Sequence, residues 1–329
     1  MILKPDVDGT LTVSFLLLPE YAMVALLSAI EPMRVANRFA GRAVFRWQLL
    51  TETDEPVFAS NQLMLQRSDS IHGVPAPRNL FICSSFHPEK YIQKSTTAWL
   101  KKITNNGAVI GAMDTGCHLL EAAGLLKNRR VTMHWEAASA FQEDHPGLEI
   151  TNELFEIDRN LITCAGGTAA IDLMLHIIQA DFGYDLAIRV CEQFIKSGIR
   201  QKSDKQRIDL ADRLNIDHPR LLRVVEQMER NLEDPVTLSQ LAGYACMSVR
   251  QLERLFRTHL KRSPAAYYMS LRLEHAQQLL KDSRLSIAEI GIACGFGSAA
   301  HFTRSYRRHF SCSPSASRSC LRLDVGDTT

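Results

Sequence analysis

Hydrophobic and polar positions follow two different rhythms along the chain. Before residue 200, short apolar runs alternate with longer stretches whose apolar residues recur every three or four positions: 11–18 then 21–39, 80–83 then 88–103, 108–113 then 116–126. Runs of four to eight apolar residues read as buried strands, and the 3.6-residue period reads as amphipathic helix. The alternation predicts a doubly wound, mostly parallel, flavodoxin-like α/β sandwich, whose ligands bind at the carboxyl ends of the strands. The apolar stretch 11–30 is interrupted by Pro19 and Glu20 and preceded by Asp6 and Asp8, so it reads as a strand running into a helix, not as a membrane span. After residue 217 the pattern is helical throughout, which predicts an all-α domain.

That helical region contains a repeat. Residues 248–264 match 298–314 at an offset of fifty: Ser248 with Ser298, Arg254 with Arg304, Arg257 with Arg307, His259 with His309, and Ser263-Pro264 with Ser313-Pro314. Leu252, Phe256 and Leu260 recur as Phe302, Tyr306 and Phe310, at spacing four on one helical face. A serine stands at the N-cap of each run, and a short apolar helix precedes each, at 238–244 and 287–293, with starts near Thr237 and Ser286. The order helix, tight turn, helix is that of two helix-turn-helix units, tied together by a long amphipathic helix at 266–280.

The second helix of such a unit lies in the major groove of double-stranded DNA and reads base edges from its N-terminal residues. Those residues are Arg250, Gln251, Glu253 and Arg254 in the first copy, and Ser298, Ala299, His301, Thr303 and Arg304 in the second. Arg257, Arg262, Arg307 and Arg308 come later and suit phosphate neutralisation.

Charge agrees with this division. A net charge of +2 conceals 21 Lys/Arg against 14 Asp/Glu in residues 200–329, and 17 against 22 before them. The basic half favours a polyanion partner. At 46% hydrophobic and 22% charged the chain is of ordinary globular composition. Its eight cysteines form no C-x-x-C pair and no zinc spacing, so free thiols in a reducing, cytoplasmic setting are expected, with no metal and no cofactor.

The stretch Ser286-Ile287-Ala288-Glu289-Ile290 through Ala293-Cys294-Gly295-Phe296, then His301-Phe302 and Ser313-Pro314, resembles the signature of the AraC/XylS family of transcription regulators over about residues 220–320. One departure is that Lys261-Arg262 and Ser311-Cys312 occupy the places where the family usually has a glycine before Ser-Pro.

In the first half, Ala108-Val109-Ile110-Gly111-Ala112-Met113-Asp114-Thr115-Gly116 is a strand turning abruptly into a helix, an elbow that exposes Asp114 at a helix N-terminus. With Ala122-Ala123-Gly124-Leu125-Leu126, Thr132-Met133-His134-Trp135 and Cys164-Ala165-Gly166-Gly167-Thr168-Ala169-Ala170, it resembles the PfpI-like, class I glutamine-amidotransferase-like domain of one AraC subgroup, which includes regulators of arginine, carnitine and glycine betaine use. Catalytic relatives carry a cysteine at the elbow, often followed by histidine. Asp114 and Thr115 remove that chemistry, and no enzyme is expected.

An aspartate there suits a cationic or zwitterionic effector. The expected pocket gathers Asp114, Thr115, Glu31, Ser84, Ser85, His134 and Trp135, with Trp135 or Phe86 adding cation–π contact of ~0.5–2 kcal/mol. Relatives commonly have glycines at Ser84-Ser85. The resemblance implies homodimerisation through the first domain, activation of catabolic genes and contact with RNA polymerase. The expected organisation is a sensing and dimerisation domain at 1–199, a polar linker at 200–216 and a DNA-binding domain at 217–329. Two other readings stay open: a hydrolase using Cys117, and a first domain that only dimerises.

Overall fold

The computed structural model of the protein describes residues 1–53, 55–65 and 69–323. They form two compact units, one of Met1–Ala138 with His145–Gln206, the other of Ser139–Asp144 with the chain from Arg207 on.

The first unit runs β1 (Leu11–Leu17), α1 (Met23–Ala40), β2 (Phe45–Thr51), β3 (Asp69–Ser70), β4 (Asn79–Cys83), α2 (Lys94–Asn105), β5 (Val109–Met113), α3 (Cys117–Ala122), β6 (Arg130–Thr132), α4 (Trp135–Asp144), β7 (Glu149–Thr151), β8 (Phe155–Asp158), β9 (Leu161–Cys164), α5 (Ala169–Phe182) and α6 (Tyr184–Gln193); the last six residues of α4 belong to the second unit. Seven strands form one sheet in the order β3-β2-β1-β4-β5-β9-β8, parallel except for the β8–β9 pair. The strands β4, β5 and β9 are buried along their whole length, as strands covered on both faces must be. The strand order reverses between β1 and β4, so the crevice outside their carboxyl ends is the topological switch point where such sheets bind ligands. A separate pair, β6 with β7, was not foreseen in the sequence.

The second unit continues with α7 (Leu210–Leu214), α8 (Pro219–Arg230), α9 (Leu238–Tyr244), α10 (Val249–Leu260), α11 (Pro264–Asp282), α12 (Ile287–Ala293), α13 (Ala299–Phe310) and α14 (Pro314–Leu323). Local chemistry starts each helix of the repeat. The side chains of Thr237, Ser248, Ser286 and Ser298 each accept a hydrogen bond from the backbone N–H three residues on, and Gln240, Gln251 and Glu289 complete capping boxes. Each motif owns a core. Leu221, Val224, Leu241, Leu252 and Phe256 fill the first, and Leu273, Leu280, Ile290, Phe302 and Tyr306 fill the second. At about 1.5–3 kcal/mol for each large side chain buried, these cores hold the helices where propensity alone would not.

The stretch expected to be a linker is a strap for its first seven residues. Arg200 donates to the wholly buried carboxylate of Asp172 at 2.7 and 2.9 Å, and Lys202 donates to Glu156 at 2.6 Å. The Gln206 amide donates to the Thr132 hydroxyl and to the carbonyls of Met133 and Glu153, and accepts from the Trp135 N–H. Two buried carboxylates need cations, and this segment supplies them. Leu210 and Ile216 are buried in the second unit's core, so helical structure starts before residue 217.

Candidate ligand pocket and nucleic-acid interface

Asp114 directly follows β5 with φ +59° and is buried. Its N–H donates to the Cys164 carbonyl at 3.0 Å, and its own carbonyl accepts from the His134 N–H at 3.2 Å. Its carboxyl accepts from Ser85. Burial, reinforced by the negative charge of Glu136, pushes its pKa up to about 7, against the lowering pull of the Ser85 bond. Thr115 donates to the Ser85 carbonyl at 2.6 Å and lies 3.2 Å from the Ser84 hydroxyl. Ser84, Ser85, Asp114 and Thr115 therefore form one hydrogen-bonded group at the carboxyl ends of β4 and β5.

His134 and Trp135 follow β6, their rings 5.6 Å apart, and 40% of Trp135 is exposed. Burial lowers the His134 pKa, opposed by Glu136 at 4.0 Å. A cavity of about 130 Å³ opens here, lined by His134, Trp135, Gly166, Gly167, Arg200 and Gln206 among others. That is roughly the share of four waters in the liquid, enough for a small polar group.

Glu31 is not part of this group. It sits on the outer side of α1, 40% exposed, paired with Arg34 at 2.7 Å; helical spacing in the sequence did not tell which exposed face it would occupy. A different carboxylate stands at the switch point. Glu20 follows β1 with φ +62°, accepts from the Tyr91 hydroxyl at 3.2 Å, and precedes Tyr21, which bridges to Ser85. The signal for it was present in Pro19-Glu20 directly after the first strand.

On the second unit, Arg250, Glu253, Arg254 and Arg257 share the exposed face of α10, and His301, Arg304, Arg307 and Arg308 that of α13. Among the described residues none of these seven cationic or imidazole side chains has a carboxylate within 4 Å. Thr303 is half-buried, and Ala299 is exposed. Two of the expected base readers have structural duties. The Gln251 amide oxygen accepts from the Ser248 N–H at 2.8 Å, leaving only its NH₂ to donate, and the Ser298 hydroxyl accepts from the His301 N–H at 3.2 Å. Arg262 is turned toward Ser270, at 3.4 Å.

Residues 241–319 match a helix-turn-helix domain family and residues 86–180 match the DJ-1/PfpI family. The chain is 44% identical over 315 residues to the HTH-type transcriptional regulator CdhR of Pseudomonas aeruginosa, covering 96% of this chain and 94% of that one. It is 39% identical over 303 residues to GbdR of the same species, covering 92% and 83%. The chain belongs to the AraC-type transcriptional regulators that carry a DJ-1/PfpI domain. A crystal structure of a proposed transcriptional regulator from Vibrio parahaemolyticus has the same kind of fold, with TM-score 0.50 and 23% identity over 57% of this chain and 100% of that one.

In this regulator the elbow position is an aspartate, and the nearby thiol is buried. Cys117 is fully buried at the start of α3, donates to the Thr132 carbonyl at 3.5 Å, and has its pKa pushed up to about 12 by burial. A thiol so placed supplies no thiolate at neutral pH. Among the described residues there is no group of three or more potential metal ligands, and no helix is long and apolar enough to cross a membrane.

Proposed function

We propose that the protein is a ligand-responsive transcription activator, not an enzyme. A small cationic or zwitterionic nitrogen metabolite binds at Asp114, with Thr115, Ser84, Ser85, His134 and Trp135 around it, and shifts the balance between arrangements of a cytoplasmic homodimer that engage promoter and RNA polymerase differently. The observation that carries this reading is a buried carboxylate, held by Ser85 at the end of β5, with no cation of the protein's own beside it among the described residues. Burying a charge is costly unless a partner arrives, and a cationic ligand is such a partner. The strap 200–206 lines the adjoining cavity and leads directly into the second unit, which gives an occupied cavity a covalent route to the DNA-binding helices.

The test is to titrate arginine, carnitine and glycine betaine into the full-length protein bound to a duplex selected from a random library. One of these compounds should change the DNA affinity by roughly 5- to 150-fold, the ordinary range of allosteric coupling. Unchanged affinity with every compound contradicts the reading.

A further inference from the structure

We propose that the amino-terminal end of α8 is a phosphate-binding wall: Arg220 and Arg223 grip the backbone of duplex DNA beside the first recognition helix, α10. The two arginines stand three apart, on the flank of α8 that borders its buried residues Leu221, Val224, Val225 and Met228. Both are exposed. They form one side of a groove of about 440 Å³ whose other side is Gln251 and Arg254 of α10. Arg254 also lines the next groove, of about 610 Å³, with Arg250, Glu253 and Arg257. The two grooves are therefore one continuous surface carrying five arginines and one carboxylate.

Arg220 and Arg223 have no hydrogen bond or ion pair among the described residues, although the acids Asp217 and Glu226 are close in sequence. Like charges gathered without counter-charge repel one another, and a polyanion relieves that repulsion. Arginine's planar fork suits phosphate oxygens. His218, at the head of the helix, is engaged otherwise: its Nδ1 accepts from the Leu221 N–H at 3.2 Å.

The second motif lacks this wall. There α11 stands to α12 and α13 as α8 does to α9 and α10, but its Arg272 donates to the carbonyls of Cys294 and Gly295, both at 2.7 Å, and stacks on Phe296 at 4.3 Å. Arg272 therefore does not stand free for a phosphate as Arg223 does.

The experiment compares full-length protein with Arg220→Gln/Arg223→Gln by fluorescence anisotropy, on an arbitrary 30-base-pair duplex and on a duplex selected by the wild type, between 50 and 200 mM salt. The variant should bind both duplexes more weakly by the same factor. Its plot of log affinity against log salt should be shallower by about 0.9 for each phosphate no longer neutralised, so that affinity changes about 12-fold less across this range. Arg220→Lys/Arg223→Lys should restore most of the slope, and all three proteins should share one thermal midpoint. A variant with wild-type affinity and slope overturns the proposal, as does a loss confined to the selected duplex, which would make these residues base readers. Failure of the wild type to bind either duplex would overturn the DNA-binding assignment along with it.

Discussion

Gly166 is packed against Asp114 so closely that a Cβ on Gly166 would lie 2.9 Å from the Asp114 Cβ. Its φ of +87° is also one that side chains rarely adopt. Gly166→Ala should therefore destabilise the protein by about 1–3 kcal/mol in urea unfolding and disturb the pocket. A variant of wild-type stability would mean that the β9–α5 turn yields.

Asp114 makes stability depend on pH in a definite direction. In the folded protein it releases its proton near 7, against 3.8 as the reference value for the unfolded chain. The folded state therefore holds a proton that the unfolded state has lost between these values. The stability this provides is complete below about pH 4 and is lost as pH rises toward 7 and beyond, on the order of a few kcal/mol. Asp114→Asn is neutral throughout, so relative to wild type it should gain stability from pH 4 to pH 8. A difference that stays flat with pH contradicts the raised pKa. By the same linkage, affinity for a cationic ligand should weaken up to about tenfold for each pH unit below 7.

Arg200 holds the strap through Asp172, which is fully buried and shared with Lys196 at 3.1 Å. Arg200→Ala should leave that carboxylate underpaired and release the segment, making tryptic cleavage after Lys202 and Lys205 many times faster. A free linker would be cut equally fast in both proteins.

The helices α10 and α13 end in left-handed residues that are not glycine, Lys261 at φ +56° and Ser311 at φ +61°. Replacing either by glycine should raise stability by about 0.5–1 kcal/mol, read as an increase in thermal midpoint. No gain would show that interactions of the Lys261 or Ser311 side chain compensate the strain.

The sequence disclosed most where structure is local. The bounds 238–244 and 287–293 coincide with α9 and α12 because Thr237 with Gln240, and Ser286 with Glu289, fix the helix starts within four residues. The alternating runs likewise foretold the parallel sheet, since buried strands must be apolar throughout. What depended on distant pairing was hidden. The polar composition of 200–206 is that of a linker, and only the isolated Asp172 in an otherwise apolar helix start hinted that a cation would come back to it. Glu31 and Glu20 were indistinguishable as carboxylates near the first strand and helix; sheet order separates them. Gln251 looked like a base reader because the capping box and the adenine contact require the same residue type.

A cation site at Asp114 is tested most directly by a thermal-shift measurement on the full-length protein with arginine, carnitine and glycine betaine at pH 8, repeated on Asp114→Asn. One of these compounds should stabilise the wild type, by roughly 2.7 kcal/mol at a hundred times its dissociation constant, and leave the variant unmoved. Equal stabilisation of both proteins, or none of the wild type by any of the compounds, would contradict such a site.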